Sequence, residues 1–425
     1  MRNLIRAVHE LAIGDIIVGI DIGTSKVCCC LGQINKFNQV EILNSSSVTC
    51  DGFKKGKIVS TDAVARAIRF AVSDIEAMQD FIIKSAYVNI VGKHVSIFKT
   101  KYSVKLEDKY EGVTQKNIDT IIRSVGEIEI PDGQQIIDIV PSKFITDTKI
   151  TDDPIGIFTD VLEAELDVII ADKQVVKTIG LAMQKAGLMI DGIVINGFAM
   201  KDIILTDEEK EKGVLLLDVG AGNVDVSLFK NNGIVYTDSI PVGGDTITND
   251  ISLGLQISYQ EADKLKKQYG LASVSYIDND YNITLTTYSG EERTKTVKCS
   301  EIVEIMSARV EEMFELIKEM LVKNQLENVA TTCVIAGQGF NSINKTEKIA
   351  EQILRMDVRF GNGKMANLIK PECATAYGVV KYISNIKHSK NIGSKIQLDE
   401  EQTFIESAIE SVKSFVSSKL RKIKK

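Results

Sequence analysis

Two short stretches of the chain, about two hundred residues apart, carry groups suited to binding phosphate and a metal ion. The first is Asp21 followed by Gly23–Lys26, and the second is Asp218 followed by Gly220–Asn223. Small residues let backbone N–H groups approach phosphate oxygens closely, and Lys26 adds a positive charge. Both aspartates are candidate Mg²⁺ ligands through water, because that ion keeps much of its hydration shell.

Each of these stretches lies between two apolar runs that are typical of strands. Ile16–Ile20 and Val27–Gly32 flank the first, and Val214–Asp218 and Val224–Phe229 flank the second. A P-loop or a dinucleotide fingerprint would instead open a helix after its glycine-rich turn. The duplication therefore predicts two strand–turn–strand hairpins that face each other and hold the phosphates of one nucleotide in a two-lobed clamp.

The composition narrows the class of protein further. The chain has 425 residues, 44% of them hydrophobic, and a net charge of −7, which excludes nucleic acid as the main partner. Seven cysteines without a CxxC pair predict reduced, mostly buried thiols, and three scattered histidines disfavour a histidine-based metal site or triad. With no signal peptide and no apolar run long enough to span a bilayer, any membrane contact is expected to be peripheral.

The remaining patterns alternate between strand and helix, which predicts an α/β fold. The further strands are expected at Val40–Ser47, Tyr87–Val91, Val95–Phe98, Ile136–Val140, Leu162–Ala171, Ile234–Ser239 and Thr332–Ala336. The helices are expected at Thr61–Ala77, Thr114–Val125, Lys173–Ala186, Gly254–Tyr269, Glu301–Lys323 and Cys373–Tyr382. A new unit begins near Ser85 in this reading, and the chain re-enters the first unit through Leu162–Ala171.

Several stretches together resemble one known family. They are Asp21–Val27, Gly52–Val59, Asp153–Gly156 with Leu162–Ala164, Ile240–Ile251 and Glu261–Gly270. The duplicated hairpins resemble the actin and heat-shock-chaperone ATPase superfamily, and these stretches resemble, within it, the FtsA family of bacterial cell-division proteins. The most specific is Gly243-Gly244-Asp245-Thr-Ile-Thr-Asn-Asp250, and the resemblance runs from about Asp15 to the C-terminus.

The resemblance implies an actin-like two-lobed ATPase fold with a small relocated α/β subdomain in the first lobe. The first core lobe would comprise residues 15–84 and 165–206, and the inserted subdomain residues 85–164. The second core lobe would comprise residues 207–245 and 331–386, and its small subdomain residues 246–330. A polar linker at 387–402 and an amphipathic membrane helix at 403–425 would follow.

The resemblance also implies where ATP and Mg²⁺ would lie. Asp21 and Asp218 would hold the metal, and Asp263 and Lys266, three residues apart on one helix face, would lie near the ribose and adenine. The implied phosphate contacts are Gly23, Thr24, Ser25, Lys26, Gly220, Ala221, Gly222 and Asn223. Gly243, Gly244 and Asp245 would close one side of the cleft, and Gly337, Gln338, Gly339 and Phe340 would pass along the base.

Three departures from the family pattern bear on hydrolysis. Asn223-Val224 stands where the second loop usually carries a threonine, so a hydroxyl that could order a water is missing. Gln338 and Phe340 crowd a turn that is usually Gly-Gly-Gly-Ala, and Thr246 stands where histidine is frequent. These features favour nucleotide binding with at most slow ATPase activity, and Asp225 is the candidate general base by its proximity in sequence.

The last 22 residues combine an apolar face with basic residues. From Phe404 to Lys425 there are six lysine or arginine residues and two glutamates, although the chain as a whole is acidic. This division predicts an amphipathic helix on an anionic membrane surface, whereas the alternative is a helix docked on its own domain or on a partner. The predicted membrane contacts are Phe404, Ile405, Ile409, Val412, Phe415, Val416, Lys419, Leu420, Arg421 and Ile423.

The resemblance implies an ATP-binding scaffold at the cytoplasmic face of the cell membrane, at the division site. It would tether the FtsZ ring, recruit later division proteins and self-associate into actin-like filaments, with the FtsZ C-terminal peptide on residues 246–330, where Arg309 is a possible contact. The alternative is a soluble actin-like ATPase scaffold of a pilus-assembly or kinase type. The basic tail and the Gly-Gly-Asp-x-Ile-Thr-Asn-Asp stretch count against that alternative, and too few residues follow the last helix for a chaperone substrate domain.

Overall fold

A computed structural model describes residues 14–37, 39–79, 81–107, 112–287, 294–361 and 370–388. The strands are β1 (Ile16–Ile22), β2 (Lys26–Ile34), β3 (Val40–Thr49), β4 (Phe53–Lys54), β5 (Lys57–Ile58), β6 (Ser85–Ile90), β7 (Val95–Lys105), β8 (Gln134–Ile145), β9 (Ile150–Thr151), β10 (Val161–Asp172), β11 (Met189–Ile195), β12 (Val214–Val219), β13 (Val224–Lys230), β14 (Gly233–Ile240), β15 (Asn282–Thr286), β16 (Thr294–Lys298), β17 (Thr332–Ala336) and β18 (Asp357–Phe360). The helices are α1 (Thr61–Glu76), α2 (Gln115–Val125), α3 (Lys173–Lys185), α4 (Asn196–Ile204), α5 (Asp207–Lys212), α6 (Gly244–Leu255), α7 (Tyr259–Tyr269), α8 (Cys299–Lys323), α9 (Thr346–Leu354) and α10 (Ala374–His388).

Two five-stranded sheets have the same topology, which extends the duplication from the turns to whole sheets. The first has the order β11-β6-β1-β2-β3, and the second has the order β18-β17-β12-β13-β14. In each sheet an antiparallel hairpin, β1–β2 or β12–β13, pairs in parallel with the strand that follows an excursion of the chain, β6 or β17. The predicted α/β fold with two like lobes is confirmed.

The core explains why the hairpin strands are apolar on both faces. Along β12, Leu215, Leu217 and Val219 point into a core with α6, α8 and α9, while Val214 and Leu216 point into a core shared with the first lobe. Successive side chains of a strand face opposite sides, so both sides of this sheet are covered. Helices α4 and α10 pack against each other in the shared core.

Most of the predicted helices are confirmed, with caps that account for their ends. The Ser60 hydroxyl accepts from the Ala63 N–H at the start of α1, and the Asp172 carboxylate accepts from Gln174 N–H at the start of α3. The predicted helix over Gly254–Tyr269 was wrong, because α6 ends at Leu255 and α7 begins at Tyr259. Gln256 adopts a left-handed conformation there, and the Ser258 hydroxyl caps α7.

The expected start of the inserted subdomain at residue 85 was also wrong. β6 belongs to the first five-stranded sheet, while β7, β10, β8 and β9 form a separate four-stranded sheet that begins at Val95. The apolar residues of β6 fit either sheet, and its long-range parallel pairing with β1 and β11 decides between them. The separate sheet buries one face against α2 and carries cross-strand ion pairs outside its core, such as Lys101 with Glu165 at 2.7 Å.

The cysteines confirm the expectation of buried thiols from composition. All seven cysteines are buried free thiols, and Cys28, Cys29 and Cys30 of β2 are completely shielded from solvent. Within the described ranges, no helix combines the length and the apolar character needed to cross a bilayer.

Candidate functional site

The two hairpin turns face each other across a cleft between the lobes. Each turn is closed in the same way, by Gly23 N–H donating to Lys26 C=O at 3.0 Å and by Gly220 N–H donating to Asn223 C=O at 2.9 Å. The turns are in contact, because a Cβ on Gly222 would lie 2.6 Å from the Thr24 side chain. Sixteen of the residues singled out from the sequence line this cleft: Asp21, Gly23, Thr24, Ser25, Lys26, Asp218, Gly220, Ala221, Asn223, Asp225, Gly244, Asp245, Lys266, Gly337, Gln338 and Gly339.

Helix α6 begins against the second turn, which explains the glycines at its start. Gly244 N–H donates to Gly220 C=O at 3.0 Å, and Asp245 N–H donates to Ala221 C=O at 2.8 Å. A Cβ on Gly243 would come within 2.5 Å of the Ala221 carbonyl oxygen. Gly243 and Gly222 therefore support the turn and do not line the cleft.

Two predicted base-side residues lie elsewhere. Asp263 is paired with Lys267 at 2.6 Å and with Lys266 at 3.5 Å, outside the cleft lining. The Phe340 ring is buried in the second-lobe core, with its centroid 5.7 Å from that of Phe314. Of this group, Lys266 reaches the cleft, where its Nζ donates to Gly244 C=O and to the Thr248 hydroxyl, and burial lowers its pKa.

Three carboxyl groups lie close together at the floor of the cleft, where Asp225 is buried and Asp21 and Asp218 are partly exposed. Burial raises the pKa of Asp21 to about 8, with the negative charges of Asp218 and Asp225 adding to the effect. Burial likewise raises the pKa of Asp225 to about 7 and that of Asp218 to about 6. A cation placed among these groups would relieve both the desolvation and the mutual repulsion.

Asn89 and Asn196, which the sequence analysis missed, connect two of these carboxyl groups. Asn89 Nδ2 donates to Asp21 Oδ1 at 2.6 Å and to Asn196 Oδ1 at 2.9 Å, and Asn196 Nδ2 donates to Asp225 Oδ2. Both asparagines stand at the carboxyl ends of apolar parallel strands, Asn89 within β6 and Asn196 directly after β11, and that position was the available signal. Other cleft-lining residues that the sequence did not indicate are Ile22, Phe53, Val91, Met200, Pro371, Glu372, Ala374 and Thr375.

The cleft offers polar groups that still lack partners. Thr24 Oγ1 is buried and finds no hydrogen-bond partner in the described part of the chain. Among those same residues, no three His, Cys, Asp or Glu side chains are placed to ligate one metal ion directly. The donor set therefore fits an oxygen-rich ligand and a metal held through water, and does not fit a closed protein cage.

The predicted membrane contacts lie outside the described residues. They are Phe404, Ile405, Ile409, Val412, Phe415, Val416, Lys419, Leu420, Arg421 and Ile423.

Two sheets of one topology, with facing hairpins around an acidic interlobe cleft, define an actin-like fold. Solved structures with that fold agree. The type IV pilus biogenesis complex PilM–PilN matches with a TM-score of 0.56 at 15% identity, covering 86% of this chain and 98% of that one. MreB5 of Spiroplasma citri bound to ADP matches with a TM-score of 0.51 at 15% identity, covering 88% and 97%.

Sequence comparisons identify the family within this fold. The family model for cell division protein FtsA matches residues 215–378, and the model for the SHS2 domain inserted in FtsA matches 92–170, so together they cover more than half of the chain. FtsA of Bacillus subtilis is 29% identical over 370 residues, covering 87% of this chain and 83% of the relative. FtsA of Pseudomonas aeruginosa is 27% identical over 375 residues, covering 87% and 89%. The chain belongs to the FtsA family of cell division proteins.

Proposed function

We propose that this protein binds ATP with Mg²⁺ and tethers the FtsZ ring to the cytoplasmic face of the cell membrane at the division site. Membership of the FtsA family supports a role in cell division. The observation that supports nucleotide binding is the pair of facing turns over three carboxyl groups at the cleft floor. The basic amphipathic sequence from Phe404 to Lys425 supports the proposed membrane contact.

The residues of the cleft suit the parts of Mg-ATP. Backbone N–H groups of the two turns and the unpartnered Thr24 hydroxyl would donate to phosphate oxygens, with Lys26 as a nearby cation. Asp21 and Asp218 would hold Mg²⁺ through its waters, and the metal would neutralise phosphate charge. Lys266 and the Gly337–Gly339 turn, which also line the cleft, would face the ribose and base.

Asp225 remains the candidate for orienting a hydrolytic water. Its carboxyl group is buried at the cleft floor, and both of its oxygens already accept hydrogen bonds, from Gly92 N–H and from Asn196. A base must reach the water that it activates, and an occupied carboxylate does so less readily. This arrangement favours the slow ATPase activity expected from the sequence.

The FtsZ peptide would dock on the small subdomain formed by α6, α7, β15, β16 and α8. Arg309, the possible contact, already pairs with Asp250, 3.1 Å from Nη2 to Oδ1, and with Glu312. An acidic peptide would therefore have to replace these carboxylates around the guanidinium, which favours a weak and exchangeable contact. Recruitment of later division proteins and self-association into filaments complete the proposed role.

Co-sedimentation with anionic liposomes in the presence of Mg-ATP tests the tether. We expect the whole chain to pellet with lipid and a chain ending at Gln402 to stay in solution. Val412→Asp should abolish pelleting, because it places a charge on the apolar face, whereas Ser411→Asp makes the same charge change on the polar face and should reduce it little. Equal behaviour of the whole and shortened chains would exclude the tether and leave a soluble actin-like scaffold.

Nucleotide binding is tested separately, by equilibrium titration of the whole chain with a fluorescent ATP analogue and Mg²⁺. Thr24→Val removes the unpartnered hydroxyl with little change of shape and should weaken binding by about tenfold or more, the value of one hydrogen bond to a charged group. Thr61→Val makes the same substitution at the first residue of α1, outside the cleft lining, and should leave affinity unchanged. If Thr24→Val binds like the unaltered chain, the phosphates do not lie at this turn.

A further inference from the structure

The lobes meet at the cleft floor through hydrogen bonds, in addition to the core that they share through α4 and α10. Asp225, on β13 of the second lobe, accepts from two donors of the first lobe: Gly92 N–H at 3.3 Å to Oδ1 and Asn196 Nδ2 at 2.5 Å to Oδ2. Asp225 is 4% exposed, so water does not compete for these bonds. The position of this carboxylate is therefore set by the opposite lobe.

Asn196 is in turn fixed by Asn89. Asn89 Oδ1 accepts from Ile22 N–H at 2.7 Å, so its amide group must turn its two N–H bonds the other way. Those bonds reach Asp21 Oδ1 and Asn196 Oδ1. Because Asn196 Oδ1 is an acceptor here, its Nδ2 faces Asp225, and one orientation of both amides satisfies every contact.

The two asparagines stand at the carboxyl ends of adjacent parallel strands. Asn89 lies on β6, one residue past its last pairing with β1, and Asn196 follows β11 directly as the first residue of α4. Both side chains are buried, at 3% and 7% exposure. Buried amides with complete hydrogen bonding are held rigidly, since leaving any of these groups unpaired is costly.

The backbones of the lobes also approach closely beside this network. A Cβ on Gly92 would lie 2.3 Å from the Thr237 hydroxyl of β14, and a Cβ on Gly197 would lie 2.2 Å from the Ser227 hydroxyl of β13. These distances are shorter than ordinary Cβ contacts, so a larger residue at either position would force neighbouring atoms to shift. The two lobes are thus also in close backbone contact near Asp225.

We propose that Asn89 and Asn196 form an amide bridge that fastens Asp225 of the second lobe to Asp21 and Ile22 of the first and keeps the cleft closed over its ligand. The two asparagines are positioning residues: they act through the carboxylates and do not touch the phosphates. The bridge itself exists in the ligand-free chain, whereas its effect on nucleotide release rests on the function proposed above. Opening the cleft requires the bonds to Asp225 to break, so the bridge slows release.

The consequence for a ligand is tested by the dissociation rate of a fluorescent ATP analogue from the whole chain with Mg²⁺. Asn196→Ala should speed dissociation by at least about tenfold, because it removes one bond to a carboxylate and leaves an oxygen of Asp225 unpaired. Asn385→Ala is the matched control, because it also removes an amide-to-carboxylate hydrogen bond, from Asn385 Nδ2 to Asp202 Oδ2 (3.0 Å), at a place outside the cleft. The nucleotide should leave this variant at the unaltered rate. Equal rates for both variants would overturn the proposal.

Exchanging the amide of residue 196 with the carboxylate of residue 225 distinguishes a positioning role of Asn196 from a general loss of structure. Asn196→Asp places a carboxylate against Asp225 and should speed release, while adding Asp225→Asn restores a donor and an acceptor at the same two positions. In the double variant Asn89 still donates to residue 196, so release should slow again towards the unaltered rate. Release from the double variant as fast as from Asn196→Asp would mean that the hydrogen bond does not hold the cleft.

Hydrogen exchange in the ligand-free chain tests the bridge without any nucleotide. The Gly92 amide donates to Asp225, so the peptide containing Gly92 should exchange its amide hydrogens at least about tenfold faster in Asn196→Ala. Its exchange rate should be unchanged in Asn385→Ala. If the unaltered chain binds no ATP, the proposed function fails while this measurement still decides the bridge. Unchanged exchange at Gly92 in Asn196→Ala would overturn the bridge even if ATP binds.

Discussion

The cleft floor places three carboxyl groups side by side, where their negative charges repel one another. Burial raises the pKa of Asp21, Asp218 and Asp225. The negative charges of Asp218 and Asp225 raise the pKa of Asp21 further. Lys26 lowers the pKa of Asp21 but does not cancel the effect. In the ligand-free protein this cluster opposes folding whenever its members are ionised.

The free energy of unfolding of the ligand-free protein should therefore fall as the pH rises from about 5 to 8. The pKa of Asp21 is about 8 when folded and 3.8 as its ordinary value, so between these values the folded state binds more protons than the unfolded state. Each such carboxyl lowers stability by up to about 1.4 kcal/mol per pH unit. Urea unfolding at several pH values without Mg²⁺ measures the slope.

Asp21→Asn should flatten this dependence, because asparagine does not titrate. Asp62→Asn is the control, since Asp62 is exposed and paired with Lys185 on the surface. Parallel curves for the unaltered chain and Asp21→Asn would contradict the assignment of the pH dependence to the cleft floor.

At the scale of elements, the ends of helices are specified by local capping, whereas the order of strands in a sheet is specified by long-range pairing. The helices α1 and α3 have side-chain caps and an amphipathic face that their sequence alone can specify. The strands of the sheets do not, because the same apolar pattern in β6 suits either neighbouring sheet. Cap substitutions should thus have small, local effects. Substitutions in β6 would instead disturb its pairing with both β1 and β11.

Ser60→Ala should lower the free energy of unfolding by about 1 kcal/mol, because it leaves the Ala63 N–H of α1 without its cap. Ser73→Ala, within the same helix, should change stability by less than about 0.5 kcal/mol, as is usual for a substitution away from special contacts. Denaturant unfolding with a shared m-value measures both. An equal loss in the two variants would show that the cap hydrogen bond is not the source.

At the scale of the molecule, the two lobes share a core through α4 and α10 and meet again at the cleft floor. A ligand between them contacts residues from both lobes and so adds to the stability of the whole protein. Mg²⁺ should be needed for the full effect, because without it the phosphates and the carboxyl groups repel one another.

ATP with Mg²⁺ should raise the melting temperature, and at a concentration one hundred times the dissociation constant the added stability is about 2.7 kcal/mol. Removing Mg²⁺ with EDTA while keeping ATP should abolish most of this gain. A thermal melt under the three conditions (no ligand, ATP with EDTA, ATP with Mg²⁺) measures it. Equal stabilisation with and without Mg²⁺ would contradict a metal held by Asp21 and Asp218.

The sequence by itself determined the hairpins, their duplication and most residues of the cleft. Glycine, aspartate and small polar residues between apolar strands are local signals, and phosphate chemistry limits which residues can serve. Asp263 and Phe340 were placed at the cleft by resemblance, but Asp263 pairs with Lys267 and Phe340 packs into the core. The partners of Asp263 are lysines three and four residues further along α7, whereas only the packing of the second-lobe core places Phe340.

The tertiary structure alone decided which strands share a sheet and which side chains meet across the lobes. Asn89 and Asn196 are more than a hundred residues apart and carry no motif, so nothing local indicates that they join Asp21 to Asp225. Sheet membership and interlobe contacts depend on pairings between distant segments, whose free energy arises only once the whole core is assembled. Local chemistry therefore set the parts of the cleft, and long-range packing set how they are connected.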